Sequence, residues 1–524
     1  MRKTNSIPRS AGILLHPTSF HTPFGIGDFG SKAIHFIQYL KKCGQKFWQI
    51  LPLGPTGYAD SPYQCISTFA GNPLLISMDG LIKMQLITQK EVMQCFETSP
   101  DPNTPEIQWT ISTKINYQAV RKSKYQVFEI SYNNFIRSNY EGKTQFLQEF
   151  SDFCREEKDW LDDFVLFTSL KNQHDSKSWI KWPEKYRNRR IHSNAIKVWI
   201  AGHKKELDYY RFIQWIFAKQ WKELKTYANK QGIQIIGDMP IFVAHDSVDV
   251  WSNPDLFSLD SSGILETQAG VPPDYFSPTG QLWGNPLYNW KQMELNGFKW
   301  FIRRFKKLAD FYDWIRIDHF RGFEAFWEVD GIATDAIKGK WVKAPGEKLF
   351  KEVEKELGRL PIFAEDLGII TPEVEQLRDK FDFPGMKVMQ FAFGDDSNNP
   401  HLPHNVIPNS IVYSGTHDND TTVGWWQNRA TKEEKEMFME YLNAEGMNII
   451  EDMIKGLYRT SAKIAIIPIQ DLLGLGSKSR MNTPSVTQGN WQFRLKYGDL
   501  SEQKAIWIRK IASLYGRLPV DPKS

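Results

Sequence analysis

Four carboxylates stand at or near the C-terminal ends of apolar runs: Asp238 in IIGDMPIF, Asp318 in WIRIDHF, Glu365 in IFAEDLG and Asp418 in YSGTHDND. If these runs are strands of one parallel barrel, their C-terminal ends lie on a single face, where such a fold builds its site. Arg316 precedes Asp318 by two positions, and residues i and i+2 of a strand share a face. A guanidinium there holds Asp318 ionised, as a nucleophile must be. Glu365 follows Phe363 and Ala364 and sits beside Asp366. An apolar wall and neighbouring carboxylates push a carboxyl's pKa upward, which suits a proton donor. An ionised carboxylate facing a protonated one, ~5–5.5 Å apart, is what retaining glycoside chemistry requires. A structural Arg–Asp pair is the plainer alternative for the same residues.

The elements that must position these groups are legible as eight short apolar runs: 11–17, 46–53, 233–242, 314–320, 361–367, 385–393, 410–418 and 463–471. Each is of strand length and apolar on both alternating faces, as parallel strands buried on both sides are. Helical periodicity lies between them. In Ser31–Lys42, Ile34, Ile37 and Leu40 fall on one face and Gly44 follows as a stop. Leu207–Gln231, Gly346–Leu357, Thr371–Phe381, Lys432–Tyr458 and Ser501–Leu514 read as further helices. The alternation predicts an α/β chain folded as a (β/α)8 TIM barrel, with a doubly wound open sheet as the alternative. Residues 1–524 are read as this one catalytic barrel with no separate C-terminal domain. Residues 80–205, polar and helical, with a Thr-x-x-Glu capping box at 88–91, read as a subdomain inserted after the second strand. Residues 246–290, rich in Pro, Gly, Asp and aromatics, read as an active-site loop region inserted after the third.

Composition narrows the function classes. Charged residues make up 24% of the chain, apolar residues 41%, and the net charge is +4. This is the balance of a folded globular protein, without the basic footprint of nucleic-acid binding. Aromatic residues reach 14%, which fits a large core and also a stacking surface for flat ligands. Cys43, Cys65, Cys95 and Cys154 form no metal-ligand or disulfide pattern. No run approaches the ~18 apolar residues of a membrane span, and Ala11–Leu15 is too short for a signal peptide. The expectation is a reduced, cytoplasmic protein with no membrane partner and no nucleic-acid partner.

Three motif matches lead nowhere. Gly25, Gly27 and Gly30 fit G-x-G-x-x-G but follow no apolar strand directly, and Ile50 occupies the place of an acidic ribose ligand. The Asp-Phe-Gly at 28–30 lacks a kinase context. His417-Asp418 has no second histidine at metal-ligand spacing, which leaves a two-metal hydrolase as a minor alternative. No D-x-D-x-D-G calcium loop is present, and two carboxylates need neither metal nor organic cofactor.

The stretches GDMPIFVAHDSVDVW, WIRIDHFRGF, FAEDLG and SGTHDND resemble the signature segments of the 4-α-glucanotransferases, also called amylomaltases or disproportionating enzymes. LPLGPTGYADSPYQ, FAGNPLLI and PPDYFSPTGQLWGNPLYNW resemble the same family, in order along the whole chain. The resemblance implies retaining transfer of a segment of an α-1,4-glucan to the 4-hydroxyl of a glucose or maltooligosaccharide acceptor. It implies Asp318 as nucleophile, Glu365 as general acid/base and Asp418 as the third acid, gripping sugar hydroxyls. It places Arg316, His417 and Tyr63 around the donor glucose, with Tyr63 stacking on it, and Asp238 in the first barrel motif. Asp274 and Trp283 match positions in a loop over the cleft, and Tyr58 a more distant glucan contact. Two departures stand out. Ser485 follows Pro484 where the family has a Pro-Gly pair, and Phe242-Val243 stands where related amylases carry Asn-His. A retaining hydrolase of the α-amylase or α-glucosidase type on the same scaffold, and a non-catalytic glucan-binding protein, are the competing readings. Oligomeric state is not legible.

Overall fold

The computed structural model describes residues 8–97, 112–137, 143–187, 193–273 and 277–519. Its centre is a ring of eight parallel strands: β1 (Ser10–Leu14), β2 (Phe47–Gln49), β3 (Gln234–Pro240), β4 (Trp314–Asp318), β5 (Ile362–Ala364), β6 (Gly385–Val388), β7 (Ser410–Tyr413) and β8 (Ile464–Pro468). Strands β1 to β5 pair in chain order, as do β6 to β8, and β8 returns to pair with β1. The remaining seam, between β5 and β6, is bridged by Ala364 N–H donating to Pro384 O at 2.9 Å. All eight apolar runs are therefore barrel strands. The (β/α)8 architecture follows from their burial on both faces, with Ile13, Trp48, Ile235, Phe363, Met386 and Ile466 all shut off from solvent.

Around the ring lie α1 (Ser31–Lys42), α2 (Lys204–Lys230), α3 (Lys299–Phe311), α4 (Gly346–Leu357), α5 (Pro372–Lys380), α6 (Lys432–Leu442), α7 (Ile449–Arg459) and α8 (Glu502–Leu514). Two details differ from the sequence reading. Helix α1 buries Ala33, Phe36, Ile37 and Leu40, while Ile34 faces outward. The bulkier Phe36 sets the buried stripe. The helix expected over Lys432–Tyr458 is two helices. Asn443, at φ +53, ends α6 in the left-handed conformation, and Gly446 follows at φ +70. Asn caps a helix this way because its short side chain tolerates that region.

Between β2 and β3 the chain forms further helices, including Gln89–Glu97, Tyr117–Arg137 and Lys158–Gln173. The capping box forms as read, with Thr88 and Glu91 satisfying each other's backbone N–H groups. Lys124 ties this region to the barrel. Its fully buried Nζ donates to Leu74 O and Ile76 O, at 2.7 and 2.8 Å, and lies 3.7 Å from Asp28 Oδ2. The stretch after β3 carries more regular structure than a loop. Thr267–Val271 and Gln281–Pro286 join Ala325–Asp330 and Gly339–Lys343 in a four-stranded antiparallel sheet. Their glycines and unalternating polarity hide these strands from a periodicity argument.

Candidate active site

Adjacent strands β3 and β4 pair Asp238 with Arg316 and Pro240 with Asp318. Side chains on one face of the two strands therefore meet at the barrel mouth. Arg316 Nη1 lies 2.9 and 2.7 Å from the two oxygens of Asp238 and 2.8 Å from Asp318 Oδ1. Burial works to lower the Arg316 pKa, but Asp238 and then Asp318 hold it well above the usual arginine value. Asp238 is sealed, and burial pushes its carboxyl up against the pull of Arg316. Asp318 keeps 27% of its side chain open. One guanidinium thus steadies two carboxylates, of which one is structural in its burial and the other faces outward.

Glu365 follows β5, and its N–H donates to Ile317 O on β4 at 2.9 Å. Its carboxyl accepts from two backbone N–H groups, His319 at 2.6 Å and Leu367 at 3.0 Å. Burial, reinforced by Asp318, pushes it up to about 8, against the opposing effects of Arg316 and the two N–H donors. The direction of this shift favours the protonated form of Glu365. The sequence-adjacent Asp366 plays no part in this. It turns away to pair with Arg378 and to accept from Met386 N–H at 2.6 Å. The raising carboxylate is Asp318, across the strand. His319 bends the backbone back toward Glu365 through a left-handed φ of +51, an uncommon conformation that marks functional turns. Desolvation holds its half-buried imidazole down at about 4, hence neutral, and its ring meets Trp283 edge-on at 4.9 Å.

Asp418 lies in the loop after β7. Thr416 N–H and Oγ1–H both donate to Asn419 Oδ1, at 2.8 and 2.9 Å, which closes the loop. Asn482 Nδ2 donates to Asp418 Oδ1 at 2.6 Å, and His417 Nε2 is 3.4 Å from Asp418 Oδ2. His417 stacks on Tyr63, with centroids 5.0 Å apart and planes within 9°. The Tyr63 hydroxyl donates to Asp238 Oδ2 at 2.6 Å. A chain of contacts thus links Asp418, His417, Tyr63, Asp238, Arg316 and Asp318, and Glu365 joins it through the N–H of His319, next to Asp318. Trp283 borders the group through His319. Tyr58 starts a short turn on the Tyr63 loop and is 71% exposed, with no contact linking it to this chain of side chains. Asp274 lies outside the described residues.

Sequence reasoning missed His319, Asn482 and Trp491. Trp491 packs against both Tyr63 and His417, at 5.8 and 6.0 Å. Both Asn482 and Trp491 sit in MNTPSVTQGNWQFR, which drew notice only for Ser485. Ser485 has φ +64, so the backbone keeps the turn a glycine would make. Asn490 fastens it by donating to Thr483 O and Val486 O and accepting from Thr483 N–H. Among the described residues, no group of three or more His, Cys, Asp or Glu side chains is placed to hold a metal ion.

A family model described as 4-alpha-glucanotransferase matches residues 15–501. The 4-alpha-glucanotransferase of Thermus thermophilus is 43% identical over 98% of this chain and 100% of its own length. That of Synechocystis sp. is 45% identical over 97% and 98%. The solved amylomaltase of Streptococcus agalactiae, in complex with acarbose, superposes with a TM-score of 0.91 at 40% identity, covering 98% of this chain and 100% of its own.

Proposed function

The chain belongs to the 4-alpha-glucanotransferase family, and on that premise we propose that Asp318, Glu365 and Asp418 carry out retaining transfer of α-1,4-glucan segments. Protonated Glu365 gives its proton to the leaving glycosidic oxygen. Asp318 attacks the anomeric carbon, forming a β-linked glycosyl ester, and the leaving sugar departs with the proton. An acceptor 4-hydroxyl then enters. Glu365, now ionised, takes its proton, the acceptor oxygen displaces Asp318, and the α configuration is restored. Asp418, held by Asn482, grips hydroxyls of the donor glucose. Tyr63, Arg316, Asp238 and His417 shape the same subsite.

The observation that carries this reading is the divided pair on neighbouring strands. Glu365 is half-buried, doubly hydrogen-bonded and pushed up to about 8, while Asp318 keeps 27% of its side chain open, with Arg316 against Oδ1. These are the two different surroundings that an acid and a nucleophile of double displacement need. Transfer must also outrun hydrolysis, so the glycosyl ester has to be shielded from water. The 260–285 loop, with Asp274 and Trp283, is our candidate shield, and Tyr58 our candidate for a remote glucan contact. The test is incubation of the purified protein with maltotriose alone. A ladder of glucose and longer maltooligosaccharides is the expected product. Glucose and maltose without longer products would favour the hydrolase reading, and no products at all the binding-protein one.

A further inference from the structure

We propose that Trp341 is a stacking platform for α-glucan residues on the Glu365 side of the scissile bond, a binding subsite outside the barrel mouth. The proposal rests on the glucan-transfer reading above. Trp341 lies on Gly339–Lys343, directly opposite Trp327 of the antiparallel sheet, and is 39% exposed. Its ring is fixed on two sides. Trp327 meets it edge-on at 5.3 Å and is itself anchored by its indole N–H donating to Ala336 O at 2.9 Å. The Arg321 guanidinium covers one face, 3.7 Å from the ring centroid. Arg321 and Trp327 fix the ring, and 39% of the residue still reaches solvent. An indole held rigid in this way loses little conformational freedom when the apolar C–H face of a pyranose settles on it.

Arg321 also says where the platform sits. It is buried, lies in the loop that continues from Asp318, and donates to Ile369 O in the loop that continues from Glu365. Trp341 is therefore one side chain away from both loops. Ile369, whose carbonyl accepts from Arg321, and Ile337, next to the Ala336 that anchors Trp327, are also 55% and 50% exposed. Lys343, paired with Glu324, stands beside it as a polar rim for sugar hydroxyls. Glu365 protonates the leaving oxygen, so the sugars reaching this surface belong to the leaving chain in the first half-reaction and to the acceptor in the second. Maltotriose offers few sugars beyond the bond to be cut, whereas maltoheptaose offers enough to reach outward.

The test compares kcat and KM of the full-length protein on maltotriose and on maltoheptaose for Trp341→Ala and Trp341→Phe. Loss of one stacked ring should raise the maltoheptaose KM of Trp341→Ala about tenfold. The maltotriose KM should rise by at most about twofold. Trp341→Phe keeps a ring over Arg321 and should raise the maltoheptaose KM by about threefold. Equal KM changes on the two substrates, or a loss of kcat on both, would overturn the proposal and leave Trp341 as a support for the catalytic loops. If Trp341→Ala does not fold, an unchanged maltoheptaose KM in Trp341→Phe overturns it equally. Failure of the unsubstituted protein to build a ladder from either sugar would instead sink the glucan-transfer reading itself.

Discussion

The two ends of the barrel each bury an arginine, and they use it in opposite ways. At the C-terminal mouth, Arg316 answers to carboxylates, Asp238 and Asp318. At the N-terminal end, Arg517 is fully buried and binds neutral carbonyls: Tyr458 O at 2.9 Å, and Ser10 O, Ala462 O and Thr460 O at 3.1 Å. Burial without a countercharge, with Arg9 nearby, pulls the Arg517 pKa down to about 9, whereas the carboxylates hold Arg316 well above its usual value. The mouth therefore sets its arginine among carboxylates, which in the proposed mechanism face a developing oxocarbenium ion. The other end spends its cation on stitching the start of β1, the run into β8 and the turn after α8 together. Chemistry and cohesion are separated along the barrel axis, as expected for this architecture.

That separation is open to attack from both directions. The largest effect is expected from Asp318→Asn, which should cut transfer by about 10³-fold or more with the melting temperature essentially unchanged. Retained turnover in product assays would remove Asp318 from its role. Next comes the acid/base. Since Glu365 must carry a proton to start the reaction and loses it near pH 8, kcat/KM should hold below that pH and fall tenfold per unit above it. Glu365→Gln should abolish this limb along with most of the activity. A limb that survives in Glu365→Gln would assign it to another group.

At the opposite end, Arg517→Met removes one donor from each of four backbone carbonyls, of which Tyr458 O, Thr460 O and Ala462 O still accept from Arg9. It should lower stability by about 2–4 kcal/mol by urea titration, with kcat on maltotriose unchanged. A loss of kcat in the folded variant would show that the two ends are coupled. The smallest effect is expected at Ser485. Replacing it with Gly relieves a left-handed φ on a residue with a Cβ, and should stabilise by about 0.5–1 kcal/mol, measured by the same titration.

The barrel was legible because strands buried on both faces must be continuously apolar, which leaves eight runs that no other element mimics. The acids were legible because each interrupts such a run at its C-terminal end. What stayed hidden depends on contacts distant in sequence. Nothing in the residues around Asn482 says that it reaches Asp418, and nothing near Trp491 says that it joins Tyr63 and His417. The reading of Glu365 named burial correctly as a cause but chose the wrong carboxylate: Asp366, its neighbour in sequence, faces Arg378, and Asp318, its neighbour in space, adds to the effect of burial. The antiparallel sheet was invisible because Gly270, Gly284 and Gly339 break the alternation that marks a strand.

The pairing of Ser10 with Ile464 has a consequence for how the protein is made. The ring is sealed by strands from opposite ends of the polypeptide, so a ribosome must deliver β8 before β1 finds its last neighbour. Until then β1 presents an unpaired edge, and ordering it against so distant a partner is slow. Synthesis thus passes through an interval in which Asp238, Asp318, Glu365 and Asp418 have all been translated and none is yet mounted in a finished ring. Conditions that shorten this interval, or chaperones that cover the waiting edge, should raise the yield of active protein more than any change at the mouth itself.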